Sequence, residues 1–237
     1  MQLGNIKKTD TENFKVAFTY SSAPARYALE RRMWIEASDL QLVREDFAWN
    51  DFPWAQSIHY FARGIGSARN KQPERARQEL AIIEDLLANL PEATPTYFRT
   101  EVAVHAESVK SWILLAEGDA EGALSLAAAA ADTEDAVDKH PVTPGEVLPA
   151  RELYADMLLK VGNDAESLEQ YQAVLAGAPN RLNALIGAAR AAGRIGDSAL
   201  AEKYRAVVLA QTQSANGHRA SLDGMKKWSQ LKLPPSR

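Results

Sequence analysis

From Leu148 to Arg181 the chain reads LPARELYADMLLKVGNDAESLEQYQAVLAGAPNR. Its small or apolar positions (Leu153, Ala155, Leu158, Leu168, Tyr171, Val174 and Leu175) recur at helical spacing in each half. Between the halves, Gly162-Asn163-Asp164 supplies a turn, with Gly162 standing where a helix end needs a left-handed residue. These 34 residues predict two helices joined tightly. The plan returns in LNALIGAARAAGRIGDSALAEKYRAVVLA, from Leu182 to Ala210, with Gly196-Asp197 at the turn and Ala201, Tyr204 and Val208 on the second helix. Upstream, SWILLAEGDAEGALSLAAAAA places Gly118-Asp119 and Ala123 in the same order. Earlier still, RNKQPERARQELAIIEDLL and ERRMWIEASDLQL read as second helices of two more pairs, starting near Pro73 and Met33 but without the Gly-Asp turn. Ala37, Ala76, Ala123, Ser167 and Ala201 then mark one small position, at spacings of 39, 47, 44 and 34 residues. A small residue belongs there because the two helices of a pair approach closely.

The pattern therefore predicts an all-α chain of about five helix pairs, over residues 12–45, 52–90, 95–138, 144–180 and 181–213. Alternating β-branched runs are scarce, so no strands are expected. A last helix over 215–231 is expected to cover the end of the array. Leu222, Met225, Trp228 and Leu231 recur every third residue on one side, while Arg219, Lys226, Lys227 and Lys232 give a solvated face.

This alternation resembles the tetratricopeptide repeat family. The stretch KHPVTPGEVLPARELYADMLL from Lys139, PARYALERRMW from Pro24 and FPWAQSIHYFARGIGSAR from Phe52 further resemble an uncharacterised group of bacterial tetratricopeptide proteins, specifically their C-terminal portion. The resemblance covers most of the chain after about residue 20 and depends on no catalytic residues. It implies a right-handed α-solenoid whose first helices line a concave face. In the register of the last three pairs that face takes in Ser108, Trp112, Glu152, Asp156, Ile186, Arg190 and Arg194. A tryptophan, acids and arginines together suit a protein or peptide segment, held by packing and charge-assisted hydrogen bonds. Arg190 and Arg194, four apart on one helix, are the expected grip for a carboxylate. Self-association through an uncapped end is a further expectation.

Composition changes this picture little. Hydrophobic residues at 46% and charged residues at 24% are ordinary for a folded chain. The absence of cysteine excludes disulfides, thiolate metal sites and cysteine nucleophiles. Residues 1–140 carry 15 basic and 22 acidic groups and residues 141–237 carry 12 and 9, so the two stretches stand at −7 and +3. Neither holds the dense basic stripe of a nucleic-acid binder. The longest apolar run, Ala123 to Ala131, is interrupted by Ser125 and far too short for a membrane span. The first fifteen residues, MQLGNIKKTDTENFK, lack the apolar stretch of a signal peptide, which favours the cytoplasm.

Candidate chemistry is sparse. His59, His105, His140 and His218 never pair at ligand spacing, so no metal is expected, and no nucleophile elbow, phosphate loop or dinucleotide fingerprint occurs. No cofactor and no catalytic residue are expected. An alternative, a helical enzyme or ligand-binding protein, rests on two places. His140 stands beside Asp138, but Thr143, Pro144 and Glu146 fit a helix N-cap, first turn and capping box. His59 and Arg63, four apart on a helix rich in Trp54, Ile58, Phe61 and Ile65, could grip a carboxylate or pack between repeats. The aromatic run Phe47, Trp49, Phe52, Pro53, Trp54 is a binding loop or, more economically, buried packing, since burying one Trp of ~200 Å² contributes on the order of 5 kcal/mol.

Overall fold

Asn13 opens the first helix: its side-chain oxygen accepts from the amides of Lys15 at 3.0 Å and Val16 at 3.2 Å, two of the donors that a helix start leaves orphaned. The computed structural model describes residues 13–138, 145–214 and 220–227, which divide between two compact units, Met1–Ala150 and Arg151–Arg237. Among the described residues the regular structure is entirely helical, without a strand.

The first unit holds α1 (Phe14–Glu30), α2 (Trp34–Ser38), α3 (Pro53–Arg69), α4 (Pro73–Ala88), α5 (Thr96–Glu117) and α6 (Ala120–Asp135), with a short 3₁₀ turn at Trp49–Asp51. Successive helices pair as α1 with α2, α3 with α4 and α5 with α6. Each first helix also packs on the next first helix, α1 on α3 and α3 on α5, and the second helices α2 and α4 pack on the first helices that follow them, α3 and α5. The second unit contains α7 (Ala150–Val161, whose first residue closes the first unit), α8 (Asp164–Gly177), α9 (Leu182–Arg194), α10 (Ser198–Gln211) and α11 (Ala220–Lys227). There α8 packs on α9, α9 on α10 and α10 on α11, while the Ser167 hydroxyl donates to the Ala155 carbonyl at 2.9 Å to join α8 to α7.

One turn recurs five times. Arg32, Lys71, Gly118, Gly162 and Gly196 all take positive φ, at 58°, 60°, 97°, 91° and 87°. The amide that follows each reaches back to the sixth residue in the chain: Met33 to Ala28, Gln72 to Ser67, Asp119 to Leu114, Asn163 to Leu158 and Asp197 to Ala192, at 2.9 to 3.0 Å. That bond ends a helix in the Schellman manner, capping carbonyls the helix cannot use itself. Five residues after the left-handed position comes the small residue, Ala37, Ala76, Ala123, Ser167 or Ala201, and every one is buried. Its amide bonds back to the residue after the turn, making the first turn of the second helix.

Two differences from the sequence reading have clear causes. The helix expected through ERRMWIEASDLQL stops at Ser38, because Leu42, Val43, Phe47 and Trp49 leave the helical path to cover Ala17, Tyr20 and Ala55. The final helix is described only as Ala220–Lys227; Leu222 and Met225 are buried against Leu185, Ile186, Ala189 and Val208, and the Arg205 guanidinium donates to the Met225 carbonyl at 3.3 Å. Trp228, Leu231 and Lys232, also expected on that helix, and Arg219 before it, lie outside the described residues.

Candidate functional site

In the first unit, successive first helices begin with aromatic residues: Phe18 on α1, Trp54 on α3, and Tyr97 with Phe98 on α5. Because these helices pack side by side, the rings meet. Phe98 stacks on Trp54 with centroids 3.9 Å apart, and Phe18 lies parallel to Trp54 at 6.5 Å, an offset geometry that favours ring pairs. They form a wall of a cleft of about 310 Å³, counting its space open to solvent. Ile58, Glu101 and His105 continue that wall, and Gly145, Glu146 and Val147 line it as well. The Arg26 guanidinium fixes this last stretch, donating to the carbonyls of Gly145 at 3.3 Å and Glu146 at 3.0 Å.

The cleft's histidine is neutral. Burial alone pushes His105 down to about 3, and its ring stacks on Phe61 at 4.5 Å. Its Nδ1 lies 3.0 Å from the Ser57 hydroxyl, a pairing that invites comparison with a nucleophile and its base. The Ser57 hydroxyl, however, donates to the Trp54 carbonyl at 2.8 Å, and a carbonyl can only accept. Its single proton is used there, so His105 Nδ1–H must be the donor to Ser57. A protonated Nδ1 cannot take a proton from the serine, and Ser57 is itself fully buried. The pair therefore satisfies polar groups in the core.

Behind the cleft, Glu134 is buried and its Oε2 accepts from the Ala150 amide at 2.7 Å. Its carboxyl is held well above the ordinary range, first by burial and then by the negative charges of Glu101 and Glu146.

The residues picked from the sequence as partner-binding occupy different settings. Ser108 is buried on α5. Trp112 is 2% exposed because the Arg69 guanidinium covers its ring at 4.1 Å and in turn sits over Trp34 at 4.2 Å, with Trp112 Nε1 left without a hydrogen-bond partner. In the second unit Glu152 is 0% exposed and ion-paired with Arg181. Asp156 accepts the Tyr171 hydroxyl at 2.6 Å, and Ile186 is covered by α10 and α11. These side chains hold helices together; the helical spacing that placed them on an outward stripe does not show what packs over that stripe. Arg190 is half-buried, and Arg194, 51% exposed, donates to the Leu159 carbonyl at 2.6 Å and to Asp164 at 3.1 Å.

Arg63 does grip a carboxylate, but an internal one: its Nε and Nη2 donate to Glu79 Oε1 at 2.8 and 2.7 Å, and Nη1 to the Leu40 carbonyl at 2.8 Å. His59 is buried and pushed down to about 4, by burial first and the Arg63 charge second. Phe47 and Trp49 are core residues, Trp49 Nε1 donating to the Arg44 carbonyl at 2.9 Å, whereas Trp54 of the same aromatic run lines the cleft. His140, Thr143 and Pro144 lie outside the described residues, but the helix expected to start at Pro144 with Glu146 in its capping box does not do so: residues 145–149 are not helical and α7 begins at Ala150, Arg26 holding the Gly145 and Glu146 carbonyls instead.

Sequence reading missed Phe18, Tyr97, Phe98 and Glu101, and gave Glu146 a helix-capping role instead. Their signal was available as aromatic residues at the starts of three successive first helices, but it becomes legible only once those helices are known to lie side by side. Among the described residues no group of three or more His, Asp or Glu could hold a metal ion, and no helix is long and apolar enough to cross a membrane. Compared with known proteins, the chain matches no protein-family model, and no curated relative or solved structure matches it.

Proposed function

We propose that this chain is a helical-repeat scaffold of the tetratricopeptide type that binds an extended segment of a protein or peptide. The observation that carries the reading is the five-fold recurrence of one turn, each copy followed five residues later by a buried small residue. A repeat built that way stacks its first helices on each other, as α1, α3 and α5 do, and stacked first helices make a continuous surface for an extended chain. Its binding face in the first unit is the aromatic cleft of Phe18, Trp54 and Tyr97, all only half-buried. In the second unit Arg194 is the exposed member of the α9 arginine pair. The alternative of a ligand grip at His59 and Arg63 is the weaker reading there, because Arg63 already donates to Glu79 and to the Leu40 carbonyl; its other place, His140, lies outside the described residues.

The test is selection of the full-length protein against a random peptide library. Enrichment of a related set of sequences, weakened by Trp54→Ser or Tyr97→Ser in a protein that still melts cooperatively, is the expected result. A library that yields nothing, or a set indifferent to both substitutions, overturns the reading of this face.

A further inference from the structure

An acid is a costly choice for the place that Glu134 occupies. It stands in the last turn of α6, 7% exposed, where the terminal carbonyls of the helix already bring negative potential. Its Oε2 accepts from the Ala150 amide at 2.7 Å, so a side chain of α6 satisfies one of the donors that the start of α7 leaves orphaned. The bond ties down a stretch that matters to the cleft, because Gly145, Glu146 and Val147 line it. Arg26 holds the same stretch from α1, at the Gly145 and Glu146 carbonyls.

The surroundings favour the neutral acid. Burial acts first; Glu101 from α5, Glu146 from the 145–149 stretch and Asp135 on its own helix add to it, while the Ala150 amide works the other way and ranks below burial, Glu101 and Glu146. Those three acids have interactions of their own within the chain, as do Arg26 and Arg151, the guanidiniums beside this stretch, and Arg151 donates to Gln170 at 2.7 Å. His105, one turn along α5 from Glu101, is neutral. Loss of the Glu134 proton leaves a buried charge among acids, and the carboxylate escapes that cost by turning to water and letting go of Ala150.

We propose that Glu134 is a proton-controlled fastener of the cleft: protonated, it holds residues 145–150 against α6 and keeps that side of the cleft in place, and ionised, it releases them. The fastened state binds the proton more tightly than the released one, so fastening is present at low pH and lost as pH rises through the raised value. The device regulates the binding face proposed above, but it is a property of the cleft's own construction and is tested without a ligand.

The experiment follows the full chain, labelled uniformly with ¹³C, by NMR from about pH 5 to about pH 9, a window that reaches from the ordinary carboxyl range to the values buried glutamates attain. The Ala150 and Val147 methyls report on the stretch and the Ile58 methyls on the aromatic wall. One titration step shared by all three is expected, above the ordinary glutamate range, with the same midpoint as the Glu134 carboxyl carbon; that comparison is made in the parent alone. Glu134→Gln keeps an oxygen that accepts from Ala150 but has no proton to lose, so the step should vanish in it. A Glu134 carboxyl that titrates in the ordinary range, methyls that do not move with it, or a step that persists in Glu134→Gln would overturn the inference. If library-selected peptides bind the cleft but no step appears, this inference falls and the scaffold stands; if the step appears while the library yields nothing, the reverse holds.

Discussion

Arg32 and Lys71 in the first unit occupy the same left-handed turn position as Gly162 and Gly196 in the second, and all four turns close with the same six-residue backbone bond. A glycine adopts positive φ freely, whereas a side chain there costs roughly 1 kcal/mol. The first unit accepts that cost twice, at Arg32 and Lys71. Its buried residues differ as well: Tyr20, Phe47, Trp49, His59 and His105 fill its core, where the second unit is lined by Ala155, Ala184, Ala188, Ala191 and Ala192. The difference shows that the turn is set by helix-end hydrogen bonding and by the close approach at the small residue. Glycine is one way of easing it.

The largest test of the contrast lies in the buried ion pairs. In the second unit Arg181→Met leaves Glu152, 0% exposed, without its cation and should cost about 3–5 kcal/mol in chemical denaturation. In the first unit Arg63→Met strands Glu79 in the same way, with a smaller loss because Arg63 is itself partly hydrated. Equal, negligible losses would mean that neither carboxylate is ionised in the folded protein.

Close packing comes next. A Cβ at Gly187 would lie only 2.1 Å from Cζ of the Tyr171 ring, which cannot retreat because its hydroxyl is bonded to Asp156; Gly187→Ala should cost about 3 kcal/mol. In the first unit the corresponding obstruction at Gly64 is the pair of Val109 methyls, a side chain that can turn, so Gly64→Ala should cost about 1 kcal/mol. Thermal melts of the two variants that shift alike would remove the claimed difference in rigidity.

Acid sensitivity belongs to the first unit. His59 and His105 have folded pKa values near 4 and 3, below the ordinary 6.5 of the unfolded chain, so the unfolded state binds more protons between those limits. Stability therefore falls as pH drops below 6.5, by up to about 1.4 kcal/mol per pH unit for each histidine. Glu134 works in the opposite sense above 4.5, because its raised folded pKa leaves the folded state holding the extra proton. Above 4.5 Glu134 therefore offsets part of the slope that the two histidines set. His105→Gln should flatten the profile of denaturation midpoint against pH, and an unchanged slope would show that His105 does not set it.

The smallest effects address the turns directly. Lys71→Gly and Arg32→Gly should each stabilise by somewhat less than about 1 kcal/mol, the relief of left-handed strain being partly offset by the greater entropy of an unfolded glycine. Gly162→Ala and Gly118→Ala should destabilise by about 1 kcal/mol; neither would meet an atom in space, so the loss is purely conformational. Destabilisation at Lys71 would show that its side chain contributes contacts worth more than the strain.

Much of this arrangement can be read along one dimension. Helical spacing, Gly-Asp turns and the small positions Ala37, Ala76, Ala123, Ser167 and Ala201 are local signals, because a helix and its cap are made by residues within six of each other. The turns at Arg32 and Lys71 escaped the eye because their residues are not turn formers; only the small residue five positions later betrays them. What a side chain faces across the gap to another helix is not local. The sequence placed Trp112 and Glu152 on an outward stripe, yet Arg69 covers the first and Arg181 neutralises the second. It offered His59 with Arg63 as a grip for a ligand, and the fold supplied Glu79 from α4. The cleft was invisible for the same reason, since Phe18, Trp54 and Phe98 are separated by 36 and 44 residues and meet only when three first helices stack. Apart from the early stop of α2 at Ser38, the chain's own pattern determined most of the helical segments and where each pair turns, because those choices are settled by backbone hydrogen bonds over a few residues. Which faces are left for a partner was decided by tertiary packing, because burial is set by whatever distant side chain arrives to cover them.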